Sequence, residues 1–312
     1  MIGATILVEP GEWRTLGELA RAMEEAGWTH LLAAEGPYSG WSNGFVANTI
    51  LAENTERMIV GNCIAIVDYR HPWTCAAAAG NLRERTGDRY VVGLGVSHPA
   101  INNPIGIHIE KPIAETRHYV NEVRRFAAEM PWGDPTIYLA GVLDPMVKLA
   151  GEVGDGVIFH HNPLRTLRRS IALMKQEAER HGRSTELDTL IYARIVLDDD
   201  LDYAYAVGRD LTYEFFHFPV YQQLYRRAGW EEEVDAVVAA IARDDRDAAY
   251  RAITAEFLDD YLVLGPASRC REKLQEFEDA GIDVLLLAPL PLKGVPLWER
   301  FRPLLAEFRE PG

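Results

Sequence analysis

The chain is short of cysteine, of positive charge and of long apolar runs, and each shortage excludes something. Its 312 residues hold three cysteines, Cys63, Cys75 and Cys270. An odd number at wide spacing fits the reduced thiols of a cytoplasmic protein, not a disulfide frame or a zinc ribbon. Lys and Arg number 32 against 47 Asp and Glu, a formal charge of −15. Nucleic-acid partners need clustered positive charge to displace counterions, and an anionic membrane surface needs the same. The basic runs are short helical ones such as Arg165, Arg168 and Arg169. No stretch approaches the roughly 20 apolar residues of a membrane span. The opening MIGATILVEPGEW lacks the basic and small-residue pattern of a secretory signal. What remains is a globular composition, 48% apolar and 25% charged, long enough for a large core.

A pattern recurs in that composition. A helical stretch ends in Gly, one or two polar residues follow, and a short apolar run comes next. It appears as AGWTHLLAAE from Ala26, GDRYVVGLG from Gly87, VGDGVIFHH from Val153 and AGIDVLLLAP from Ala280. Gly adopts the left-handed helix cap readily. The runs are too short for helices and nearly continuous in Val, Ile and Leu, as buried parallel strands are. Amphipathic stretches lie between them: Thr15 to Ala26, Pro112 to Phe126 and Leu164 to Glu179. Strands are expected near Thr5, Leu31, Val60, Val91, Ile137, Val157, Ile191 and Leu285. About eight βα units favour a (β/α)8 TIM barrel in one domain over residues 1–312. The alternative is a doubly wound sheet, which would carry a Gly-rich fingerprint after its first strand, where Val8-Glu9-Pro10 stands instead. From about 201 to 262 the period breaks into a helical, aromatic and acidic insertion before the last βα unit. It either packs against the barrel or a second subunit, or covers a ligand.

Barrel active sites lie at the C-terminal strand ends. Those ends carry Glu35, Gly61-Asn62-Cys63-Ile64, the run Gly93 to His98, Gly141, His160-His161 and Arg194. Gly93 and Gly95 either let a flat ligand approach the backbone or serve tight strand packing. Asp144-Pro145 reads as an N-cap followed by Pro, so Gly141-Val142-Leu143 either cradles a phosphate or forms an ordinary turn. Nine histidines offer no zinc spacing, and no metal is expected. His71 before Pro72 reads as a helix cap.

Several motifs together resemble a known family. ENTERMIVGN (Glu53 to Asn62), Arg70-His71-Pro72, Arg89 to Gly95, LAGEVGDGVIF from Leu149 and the unit from Leu262 to Leu290 are similar to the luciferase-like monooxygenase superfamily. Within it they resemble the coenzyme F420-dependent branch, which includes methylenetetrahydromethanopterin reductase and deazaflavin-dependent dehydrogenases. The resemblance implies a barrel holding a deazaflavin at its mouth and a non-prolyl cis peptide at Cys63–Ile64. It implies that Gly61, Asn62, Cys63, Ile64, Gly93, Gly95, Ser97, Gly141, Val142 and Leu143 bind the cofactor. Glu35 falls where the family has an acidic residue beside the ring, and His98 where some dehydrogenases have a catalytic Glu. His98 is therefore either the proton donor or acceptor, or a cap on the turn before Pro99. Tyr38 and Trp41 are candidate substrate walls. Gly36 stands where dehydrogenases often carry His, Asp88 replaces a family Gly, and a basic set for a sugar phosphate is missing. The implied function is hydride transfer between F420 and a C=C, C=N or C=O bond of a small molecule, in a cytoplasmic homodimer. The alternatives are an FMN-dependent monooxygenase and a barrel that only binds a ligand.

Overall fold

The computed structural model describes residues 1–36, 42–290 and 294–309. Eight short apolar strands form its centre: β1 (Ile2–Ile6), β2 (His30–Ala33), β3 (Ile59–Asn62), β4 (Tyr90–Gly95), β5 (Thr136–Ala140), β6 (Gly156–His160), β7 (Asp188–Leu197) and β8 (Val284–Pro289). Each pairs in parallel with the next, and β8 pairs with both β7 and β1, so the sheet closes into a TIM barrel. All eight expected strand positions lie within these segments. Strands buried on both faces need side chains that suit two apolar environments, hence the runs of Val, Ile and Leu.

Alternate residues point to opposite faces. Leu32, Cys63, Val91, Tyr138, Ile158, Leu190, Val284 and Leu286 pack together inside the barrel. Their neighbours Leu31, Val60, Val92, Leu139, Val157, Ile191 and Leu285 join the outer shell with the helices. Helix Leu16–Glu25 contributes Leu16, Leu19 and Met23 to that shell, and helix Leu164–Arg180 contributes Leu167, Ile171 and Met174. The caps explain where helices stop. Helix Pro72–Thr86 starts with the Trp73 amide donating to His71 Nδ1 at 3.2 Å and ends at Gly87 with φ 64°. Gly154 departs from the expected left-handed cap. Its φ is −94°, and Gly is needed because a Cβ would sit 2.9 Å from the Ala150 carbonyl oxygen.

The insertion stands where the sequence places it. Helices Leu201–Phe215, Pro219–Arg227, Glu231–Ile241, Arg246–Ala252 and Ala255–Asp259 pack a core of their own around Phe216, Tyr225, Trp230, Val237 and Phe257. The chain then returns through a short strand, Val263–Gly265, that pairs with the far end of β7. Asp260 ties the insertion to the barrel. Its carboxylate accepts from Trp230 Nε1 at 2.8 Å and pairs with Arg165 Nε at 2.7 Å.

Candidate active site

A cavity of about 1030 Å³ opens at the C-terminal end of the barrel. Glu35 after β2, Cys63 and Ile64 after β3, Ser97 and His98 after β4, and Val142 and Leu143 after β5 all line it. Across from them stand His160 at the end of β6 and Tyr192 and Arg194 on β7. Phe215, Phe218 and Tyr221 of the insertion form its roof. The insertion thus covers a cavity as well as packing on the barrel. The Cys63–Ile64 peptide bond is cis.

The five other backbone positions implied by the resemblance lie elsewhere. Gly61, Asn62, Gly93, Gly95 and Gly141 do not line the cavity. A Cβ on Gly61 would sit 2.3 Å from the Val91 carbonyl oxygen, and one on Gly93 2.1 Å from that of Asn62. Neighbouring strands make the close approach there. A Cβ on Gly95 would meet Ile64 Cδ1, and one on Gly141 would meet Val157. Asn62 is fully buried behind the wall, where its Oδ1 accepts from the Tyr90 hydroxyl. Gly93→Ala is expected to lose about 1–3 kcal/mol of stability through overpacking. Denaturant unfolding checks this, and an unchanged midpoint would refute the packing role.

The supposed helix cap at Asp144 is also corrected. Asp144 is the first residue of helix Asp144–Val153, and its carboxylate takes two hydrogen bonds from Arg169 at 3.1 and 2.7 Å. The long guanidinium outcompetes local capping. Tyr38 and Trp41 lie outside the described residues. Among the described residues no group of three or more His, Cys, Asp or Glu is placed to hold a metal.

Glu35 proves to be held tightly. Its side chain is 3% exposed and accepts both hydrogen bonds of Arg70 Nη2, at 2.8 and 2.6 Å, and the Ile66 amide at 2.8 Å. Arg70 itself lies over the Phe45 ring at 4.6 Å. Sequence reasoning assigned no role to Arg70, although it belongs to the Arg-His-Pro motif. Through the Ile66 amide the pair holds the segment after β3.

His98 sits on the opposite footing. Its ring stacks on Phe218 at 4.3 Å and makes no cap hydrogen bond to the helix Pro99–Asn102. Burial lowers its pKa from 6.5 to about 4, so the imidazole is neutral near pH 7. A neutral imidazole can accept a proton, or donate an N–H hydrogen bond to an oxygen. His160 is also kept neutral, by burial first and then by His161 and Arg194. Its Nδ1 lies 2.9 Å from the Tyr221 hydroxyl, while Nε2 meets no partner among the described residues. Tyr192 was missed by sequence reasoning, since one ring among apolar strand residues reads as core. Arg194 was visible as a charge within an apolar strand.

The chain matches the luciferase-like monooxygenase family over residues 2–284. It belongs to that family. Relatives include a Mycobacterium tuberculosis protein provisionally named a coenzyme F420-dependent oxidoreductase, 27% identical over 86% of this chain and 89% of its own. The 5,10-methylenetetrahydromethanopterin reductase of Methanolobus tindarius is 26% identical over 75% of this chain and 78% of its own. Among solved structures, an F420-dependent secondary alcohol dehydrogenase matches with a TM-score of 0.75 at 15% identity, covering 99% of both chains. An FMN-bound type II Baeyer–Villiger monooxygenase from Pseudomonas putida matches at 0.69 and 15%, over 98% of this chain and 96% of that one. At such identities the structures speak to the shared barrel alone. The family member described here thus combines a covered apolar cavity, a neutral His98 and a clamped Glu35.

Proposed function

We propose that this chain is an F420-dependent oxidoreductase that moves a hydride between the deazaflavin and a C=O, C=N or C=C bond of a small organic substrate. The observation that carries the reading is the cavity, whose apolar walls at Ile64, Val96 and Ile158 suit a planar ring system. The F420-dependent relatives support the cofactor choice. The residues present fit such a group: Cys63 and Ile64 would back one ring face, and the Val142-Leu143 segment would receive the side-chain phosphate. Coenzyme F420 supplies a two-electron hydride carrier that does not readily activate oxygen.

The protein's own part is orientation, exclusion of water and proton handling. Phe215 and Phe218 roof the cavity. His98, neutral at pH 7, accepts the hydroxyl proton when an alcohol is oxidised, or hydrogen-bonds the carbonyl oxygen in the reverse direction. Glu35 is engaged by Arg70 and serves as a positioning group for the segment after β3.

Titrating the protein with coenzyme F420 and with FMN, followed by fluorescence quenching, tests the cofactor. Quenching with F420 is expected. Tight FMN binding with no response to the deazaflavin, together with oxygen uptake from reduced FMN, would establish the monooxygenase reading instead. Cofactor binding without turnover on any alcohol, ketone, imine or enone would mark a ligand-binding barrel. His98→Ala is expected to keep cofactor affinity and lose turnover by about 10²-fold. Unchanged turnover removes His98 from the mechanism.

A further inference from the structure

Arg194 is a buried cation with unmet hydrogen-bonding capacity. The residue is 6% exposed, and among the described residues its Nε and Nη1 meet no acceptor. Its guanidinium lies over the Tyr192 ring, 4.3 Å from the centroid, at the cavity floor. The acidic groups around the cavity are occupied or remote. Glu35 is taken by Arg70, Asp210 pairs with Arg246, and Glu214 is exposed at the rim. Buried charges in proteins are paired, and a guanidinium presents a planar fork suited to a planar oxyanion. The missing counter-charge therefore comes with the ligand.

The topology says which ligand. In the closed ring, β7 is four strands from β3, so the two face each other across the barrel. A ring backed by Cys63 and Ile64 would leave its other face open toward β7. Arg194 is then on the side from which a substrate must approach.

We infer that Arg194 anchors a carboxylate on the substrate, which is a largely apolar organic acid whose reducible or oxidisable bond lies beside the charged group. The inference rests on the cofactor reading for its choice of side. The apolar side chains that line the same cavity, Ile158, Leu211 and Phe215 among them, would take the apolar remainder.

Cinnamate and cinnamamide, equal in shape and different in charge, are the probes. Their affinities are measured by calorimetry on the full chain, with and without oxidised cofactor. Cinnamate is expected to bind at least about tenfold more tightly than the amide, the scale of a charge-assisted bond pair. Arg194→Met removes the preference and Arg194→Lys retains part of it, with circular dichroism confirming that each is folded. Equal affinities in the wild type, no cinnamate binding at millimolar concentration, or a preference that survives Arg194→Met would each overturn the inference. So would a parallel loss of F420 affinity in Arg194→Met, which would assign the guanidinium to the ring. Failure of the cofactor reading is separate: the wild-type protein would then show no F420 quenching, whatever the acid-over-amide ratio of the cofactor-free chain.

Discussion

Acidifying the free protein from pH 7 to pH 5 is expected to lower its unfolding free energy by several kcal/mol. Two buried histidines, His30 and His161, and two half-buried ones at the cavity wall, His98 and His160, cause this. Burial lowers the pKa of His30 and His98 to about 4, with the N-terminal amine adding to the effect at His30, and holds His160 and His161 well below 6.5. The unfolded chain takes up protons near pH 6.5, whereas the folded chain keeps these rings neutral to much lower pH. Unfolding therefore gains protons, and stability is full above about 6.5 and falls as pH drops through the window toward 4. Each ring contributes up to about 1.4 kcal/mol per pH unit within its window. Glu24, Asp144 and Glu152, whose pKa values are lowered, add their own losses only at more acid pH. Urea unfolding at pH 7, 6 and 5 measures the slope. A midpoint that stays constant over that range would show that the rings are not buried neutral.

Replacing Arg70 by Met is expected to destabilise the protein by about 3–5 kcal/mol, because it leaves a buried carboxylate without its cation. Both partners are largely out of water, at 13% and 3% side-chain exposure, so solvent screening removes little of the effect. Among the described residues, the Ile66 amide would remain as the carboxylate's hydrogen-bond donor. The double replacement Arg70→Met with Glu35→Gln is expected to recover a large part of the loss, since no net charge is then stranded. Denaturant curves for the two single variants and the pair give the coupling. If Glu35→Gln left stability intact and abolished turnover alone, Glu35 would be a catalytic residue and the clamp incidental.

The barrel was legible because its signal is repeated. Eight apolar runs, four of them preceded by a Gly at a helix end, leave few other architectures, and local strand composition is dictated by burial on both faces. His98 and Glu35 were legible as cavity residues because strand ends converge by topology. The glycines were not. Gly61 and Gly93 sit on strands that end at the site, yet the atoms crowding them are neighbouring carbonyl oxygens, a contact that sequence does not display. Asp144 misled for a related reason: the competing partner, Arg169, is 25 residues away in the chain. Arg70 and Tyr192 matter through contacts across the fold, and only the residue types are visible in a string of letters.

The pairing of Leu197 with Gly265, and of Ile195 with Val263, brings the two roots of the helical insertion side by side. The hoop beneath is already fastened by β8 to β7 without them. The insertion hangs from the cylinder like a cassette in a slot, with an apolar interior that meets the barrel at Val196, Leu264 and Leu290. The ceiling of the cavity can thus be exchanged as a unit, changing which molecules fit while the barrel floor stays intact.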